Sequence, residues 1–277
     1  MLDSFDTVKS YFKNKSVALV GPSPHLEGKN LGSLIDKYEI VIRVNELGLS
    51  KKNYKDYGRK TNAVFLTLNS NSIKIYKAMI DKYDLSMIDL LVHPNDLFNR
   101  NPFLRDQQNE DIVELYKKLD LDLKLYQITS PSFKEVCNKF DCFPSTGSQT
   151  IYHLCSLEIK KLYVCGFSFY TTKYNYNNEK SEVWRKYGPA NQNIMRLSGH
   201  DTYKEVVQIK QRIRDAKIEQ IEGDDLFNKI ILSRSNIYFL SKRFYIKYIN
   251  IDYLKNLVKL LLRWLKVPGY RKKWQSK

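Results

Sequence analysis

Two things are scarce in this chain of 277 residues: paired cysteine spacing and long uncharged apolar runs. The four cysteines, Cys137, Cys142, Cys155 and Cys165, form no CxxC pair. With no secretory leader to place them in an oxidising compartment, they are expected to be reduced and mostly buried. The start, Met1-Leu2-Asp3-Ser4-Phe5-Asp6, lacks a basic region followed by an apolar stretch. It therefore predicts no signal peptide, no type II anchor and a cytosolic location. Nowhere do about 20 apolar residues run together, so no transmembrane span is expected. Internal repeats and low-complexity linkers are also missing, which leaves no seam to divide the core. At 43% hydrophobic residues, the length suits one large α/β domain with an appendage.

Acidic residues are few as well. The formal charge is +16, and much of the excess lies after residue 241. From Lys242 to Lys277 there are eleven Lys and Arg against the single acid Asp252. Lys255, Lys259, Arg263 and Lys266 recur at helical spacing, with Leu254, Leu257, Val258, Leu261, Leu262, Trp264 and Leu265 around the rest. This pattern predicts a basic amphipathic helix lying in the plane of an anionic membrane surface, with Trp264, Tyr270 and Trp274 near the headgroups. A terminal helix packed on its own domain, its charges solvated, is the plainer alternative. The boundaries assigned are 1–235 for a catalytic domain and 236–277 for the membrane-associating segment. Twenty Tyr and thirteen Phe beside so much positive charge also raise a nucleic-acid binder. The excess sits in a Leu-rich helix and is not interleaved with aromatics across a sheet, which argues against nucleic acid as a partner.

Strand and helix patterns alternate along the first 235 residues, as a mostly parallel, Rossmann-like sheet flanked by helices requires. Strands are expected at Val17–Val20, Ile40–Val44, Ala63–Leu68, Ile88–His93, Leu123–Ile128 and Leu162–Cys165, the last closing the sheet. Helices are expected around Ile73–Asp81, Asp111–Leu119, Ser148–Leu157, His200–Ala216 and Asp225–Ser233. Tyr170–Ser198 shows no period and reads either as a loop that covers the site and orders when a ligand binds or as a disordered surface insertion. Two glycine turns punctuate this pattern: Gly21-Pro22-Ser23 after the first strand, and Pro144-Ser145-Thr146-Gly147-Ser148 before the helix that leads to Tyr163-Val164-Cys165-Gly166-Phe167. Each is expected to present backbone N–H groups at a helix start, where an anion is favoured. A third feature, Gly199-His200-Asp201-Thr202-Tyr203-Lys204-Glu205, opens a helix with a histidine.

In order and content these pieces resemble the sialylmotifs of glycosyltransferase family 29, the eukaryotic-type sialyltransferases, and the chain reads as a bacterial member. The long motif corresponds to Gly21-Pro22-Ser23, Ile35-Asp36 and Arg43-Val44-Asn45. Pro144 to Gly147 with Cys165-Gly166-Phe167 corresponds to the short motif, and His200 with Glu205 to the very short one. The resemblance spans roughly Ser16 to Glu205. It implies a variant GT-A-like fold and an inverting enzyme that moves a sugar acid from its CMP ester. Three departures stand out. Pro22 replaces an asparagine and has no amide to donate. Val17 stands where the family has a cysteine bridged to the short motif, so that disulfide cannot form. The family's third motif, a His-Tyr pair, is matched only by Lys186-Tyr187.

The resemblance puts Ser23 and Asn45 on the nucleotide, and Ser145, Thr146, Gly147 and Ser148 on the phosphate or the sugar carboxylate. Gly21, Gly166, Phe167, Lys186 and Tyr187 complete the donor-binding set. His200 is the candidate general base, since imidazole titrates near neutrality, and Glu205 an orienting residue. His25, in the first glycine turn, is a candidate to approach nucleotide, His153 is read as core or surface, and Arg43 as a structural ion pair. Asp120-Leu121-Asp122 fits a bare metal-binding pattern but falls in a turn, so no metal or other cofactor is expected. The donor is a CMP-activated sialic acid, Kdo or related nonulosonate, and the acceptor a glycan or glycolipid such as lipopolysaccharide or capsule precursor. A non-catalytic CMP-binding paralogue is the alternative that Pro22 and Lys186 suggest.

Overall fold

The computed structural model describes residues 5–94, 112–127, 133–169 and 201–233. Its centre is a seven-stranded parallel sheet: β1 (Ser16–Val20), β2 (Ile40–Val44), β3 (Ala63–Phe65), β4 (Leu90–His93), β5 (Leu125–Gln127), β6 (Lys161–Cys165) and β7 (Gln220–Gly223). The spatial order is β5-β4-β3-β2-β1-β6-β7. Parallel strands covered on both faces are mostly apolar, and β2, β3 and β4 are buried at every position, with Arg43 and His93 as their polar members.

Helices cover the sheet: α1 (Phe5–Phe12), the short α2 (Gly32–Ile35) and α3 (Tyr54–Tyr57), α4 (Ser70–Ile80), α5 (Ile112–Lys117), α6 (Phe133–Phe140), α7 (Thr146–Leu154), α8 (Thr202–Arg214) and α9 (Asp225–Phe227), which runs on into a π turn at Asn228–Leu232. One apolar cluster joins Val64, Leu66, Leu91 and Leu125 of the sheet region to Ile73, Tyr76 and Met79 of α4 and Ile112 and Leu115 of α5. A second packs Ala18, Val20, Val41, Tyr163 and Cys165 against Leu26, Ile35 and Tyr57. Burying each of these large side chains contributes about 1.5–3 kcal/mol.

Six expected strands are present, with β3 ending at Phe65, short of Leu68. The sheet does not close on β6: β7 pairs beyond it, Leu162 opposite Ile221. That edge strand reads Gln-Ile-Glu-Gly and is only partly covered, so it carries no apolar run to betray it. Helix α6 was also not expected, although Phe133, Val136, Cys137 and Phe140 recur at helical spacing and are all buried. All four cysteines are buried and none forms a disulfide. Asp120 lies in a turn with φ +52, the solvated position expected for the Asp-Leu-Asp run. Among the described residues no helix is long and apolar enough to cross a membrane.

The strand order matters for function. The chain lays down β1 to β5 in one direction, then returns to set β6 on the free side of β1. The strand order thus reverses between β1 and β6, and ligands of open α/β sheets bind at the carboxyl edge of such a reversal. Residues 5–233 belong to one compact unit, Met1–Ser233. The expected C-terminal helix, the boundary at 235 and the covering loop Tyr170–Ser198 lie outside the described residues.

Candidate active site

At the crevice the Gly21 turn meets the segment at Gly166 that follows β6. Val20 pairs with Cys165 at the carboxyl ends of β1 and β6. Beyond them the Gly21 N–H donates to the Cys165 carbonyl at 2.8 Å and the Ser23 N–H to the Gly166 carbonyl at 3.0 Å. A Cβ on Gly21 would lie 2.4 Å from the Gly166 oxygen, and one on Gly166 would lie 2.3 Å from the Gly21 oxygen. Gly166 also has φ +76, which side chains disfavour. The Gly166 N–H donates to Asp224 Oδ2 at 2.7 Å. These amides are thus bonded within the protein and do not face an anion as expected. The element after Ser23 is only a 3₁₀ turn, Pro24–Leu26.

Side chains extend this junction. Ser23 Oγ lies 2.9 Å from His25 Nδ1, and His25 Nε2 lies 3.0 Å from Asp224 Oδ2. Asp224 caps α9, its Oδ1 accepting the N–H groups of Leu226 at 2.9 Å and Phe227 at 2.8 Å. From the opposite side Tyr57 OH donates to the Ser23 carbonyl at 2.9 Å. Arg43 supports that loop: fully buried, it donates to the carbonyls of Tyr57, Gly58 and Lys60 and to Thr61 Oγ1. Carbonyls make its direct contacts, the charges of Glu46 and Asp36 favour the cation, and burial, the larger influence, lowers the pKa of the guanidinium.

The second turn is built differently. Pro144 ends the preceding segment and Ser145 caps α7, its Oγ accepting the Ser148 N–H at 3.3 Å. Glu205, one turn into α8 and 1% exposed, accepts both the Ser145 hydroxyl, at 2.7 Å, and the Ser148 hydroxyl. The carboxylate therefore binds α8 to the head of α7, an orienting contact. Thr146 Oγ1 meets Thr67 Oγ1 at 2.7 Å, and a Cβ on Gly147 would come within 2.7 Å of the Phe167 ring. Phe167 thus lies against the head of α7, so the residue after the second glycine reaches the Ser-Thr-Gly turn.

Asn45 completes the rim after β2. Its backbone is left-handed at φ +55, and its N–H donates to the Phe65 carbonyl at 2.8 Å. Its Oδ1 accepts the Thr67 N–H at 3.0 Å and the Tyr76 hydroxyl at 3.1 Å. Gly21, Ser23, Asn45, Ser145–Ser148, Gly166 and Phe167 all lie at the carboxyl edge of the sheet. His200, Lys186 and Tyr187 are outside the described residues; in sequence His200 directly precedes Asp201, the N-cap of α8.

Four supporting residues were not singled out from sequence: Asp224, Thr67, Tyr76 and, as more than a neighbour of nucleotide, His25. Asp224 had a legible signal, an acid just before a helix start. Thr67 and Tyr76 had none. His93 is buried with Nδ1 at 3.1 Å from the Leu66 carbonyl. His153 is core, and burial, then the charge of Arg212, pushes its pKa down to about 3. Among the described residues no three His, Cys, Asp or Glu side chains are grouped as a metal site.

A parallel α/β sheet whose reversal point carries two interlocked glycine turns and a serine-capped helix defines a ligand-binding α/β domain of the kind that holds nucleotides. The family model for glycosyltransferase family 29 (sialyltransferase) matches residues 7–218, and the chain belongs to that family. It is a CMP-sugar-dependent glycosyltransferase. Similar solved structures include the sialyltransferase CstII from Campylobacter jejuni in complex with the substrate analogue CMP-3FNeuAc, at 18% identity over 80% of this chain and 87% of that one, TM-score 0.48. A mammalian sialyltransferase is similar at 17% identity over 76% of this chain and 70% of that one, TM-score 0.45. No curated protein sequence matches the chain.

Proposed function

We propose that this enzyme transfers a sialic acid or related ulosonic acid, Kdo or another nonulosonate, from its CMP ester to a hydroxyl of a surface glycan, with inversion at the anomeric carbon. The observation that carries the reading is the meeting of Gly21–Ser23, Gly166–Phe167 and Ser145–Ser148 at one crevice at the reversal of the sheet. Nucleotide would lie against Ser23 and Asn45, and the departing phosphate or sugar carboxylate near the head of α7. His200 accepts the proton of the acceptor hydroxyl as the new bond forms. Glu205 supports this by fixing the start of α8, the helix that follows His200, to Ser145 and Ser148. A CMP leaving group carries one phosphodiester, which hydrogen-bond donors can stabilise without a divalent ion.

General-base catalysis typically contributes about 10²–10⁴ in rate. His200→Ala is accordingly expected to lower turnover by that factor with CMP affinity largely retained, in assays run with and without chelator. Turnover near the parental level would remove His200 from the mechanism, and loss of activity in chelator that Mn²⁺ or Mg²⁺ restores would remove the metal-free route. The basic segment after Lys242 supports a peripheral location at the inner face of a cytoplasmic membrane, near lipopolysaccharide or capsule precursors. Removing residues after Leu254 should release the protein from anionic vesicles in a sedimentation assay; unchanged sedimentation refutes the membrane role.

A further inference from the structure

The chain of contacts Ser23–His25–Asp224 does more than join two loops. Asp224 is 7% exposed, and three backbone N–H groups converge on its carboxylate: Gly166 at 2.7 Å on Oδ2, and Leu226 at 2.9 Å and Phe227 at 2.8 Å on Oδ1. A carboxylate held by three donors acts as an acceptor. The His25 nitrogen facing it at 3.0 Å, Nε2, therefore carries a hydrogen. In the neutral ring only one nitrogen is protonated, so Nδ1 is left with a lone pair. In that form Nδ1, 2.9 Å from Ser23 Oγ, can accept the hydroxyl hydrogen. A serine hydroxyl has one hydrogen to give. With it turned toward His25, Ser23 meets any further partner through its oxygen lone pairs.

We propose that His25, held by Asp224, is a positioning residue that fixes the polarity of the Ser23 hydroxyl, so that Ser23 Oγ receives a hydrogen bond from an amino or hydroxyl group of the bound nucleotide. A phosphate oxygen at the same place would need the Ser23 hydrogen to turn away from His25. The inference rests on the reading of the crevice as a CMP site and assigns Ser23 to the base or ribose end of that ligand. The two ends of the donor then fall at different turns, the nucleoside at Ser23 and the anionic part toward the head of α7.

Two variants separate the bonds of the ring. His25→Asn keeps an acceptor near the Nδ1 position and loses the reach to Asp224, whereas His25→Gln keeps a donor toward Asp224 and leaves Ser23 without its acceptor. Calorimetric titration with CMP is expected to show a loss of about tenfold in affinity for His25→Gln and a smaller loss for His25→Asn, the size of one neutral hydrogen bond. In a Ser23→Ala background His25→Gln should cost nothing further, because its effect passes through Ser23. Nitrogen-15 spectra of the neutral ring should report the Nε2–H tautomer, a signature independent of nucleotide, with thermal unfolding confirming that each variant is folded. The Nδ1–H tautomer, or independent losses from His25→Gln and Ser23→Ala, overturns the proposal. Failure of the parental protein to bind CMP overturns the nucleotide reading and the ligand named here, while the tautomer and double-variant unfolding still decide whether His25 orients Ser23.

Discussion

The turn after β1 and the turn that opens α7 look alike as sequence, each a glycine beside serines at a strand or helix end, yet they are held by different means. At Gly21 and Gly166 two backbones meet with no space for a side chain, and the groups that join them directly are backbone amides and carbonyls, with the Asp224 carboxylate accepting the Gly166 N–H beside them. At Ser145 and Ser148 the contacts are hydroxyls on a buried carboxylate from another helix. The first kind of junction depends on the absence of atoms and tolerates no addition. The second depends on side-chain hydrogen bonds, which can be weakened by degrees. Ligand binding at the crevice thus has one rigid wall, made by the sheet, and one wall whose position depends on Glu205.

Substitutions at the two walls test this contrast. Gly166→Ala forces a Cβ to 2.3 Å from the Gly21 oxygen at a φ of +76, and is expected to lower stability by at least about 3 kcal/mol in denaturant unfolding. A loss under about 1 kcal/mol would mean that the junction yields, and the contrast would be broken. Glu205→Ala removes the acceptor of two hydroxyls and should cost about 2–3 kcal/mol, with Glu205→Gln near 1 kcal/mol because an acceptor remains. Equal losses for Ala and Gln would show that packing, not hydrogen bonding, makes the second wall.

The last effect depends on pH and concerns the core end of α7. His153 has its pKa depressed from 6.5 to about 3 by burial and by Arg212, so the folded state refuses a proton that the unfolded chain accepts. Its neutrality costs nothing above pH 6.5; below that, stability falls as pH drops toward 3, by about 1.4 kcal/mol per pH unit. His153→Leu should remove that part of the slope in unfolding measured between pH 6 and 4. An unchanged slope would remove His153 from the acid sensitivity of the fold.

How much was legible varies along the chain for physical reasons. Strands β1, β2 and β6 are runs of apolar residues because both faces are covered, and runs of that kind show in one dimension. Strand β7 lies at an edge with partial cover, and its Gln-Ile-Glu-Gly carries no comparable mark. The short-motif serines were visible as a helix cap, but their acceptor, Glu205, comes from about sixty residues further on. Arg43 illustrates the limit from the other side: its charge suggested an acidic partner, while the fold surrounds it with carbonyls from residues 57–60. The histidines divide in the same way, since spacing alone could not tell His25, bonded to Ser23 and Asp224, from His153, buried in the core.

By itself the sequence determined the alternation of strands and helices, the two glycine turns, the serine cap and the membership in a glycosyltransferase family. Each of these is written in consecutive residues, through apolar period, backbone freedom or capping chemistry. Only the tertiary structure decided that β6 lies beside β1, that Gly21 and Gly166 therefore exclude each other's side chains, and that Asp224 and Glu205 close on the turns from distant segments. Those contacts depend on strand order, which is set by how the whole sheet buries its faces and not by any local preference.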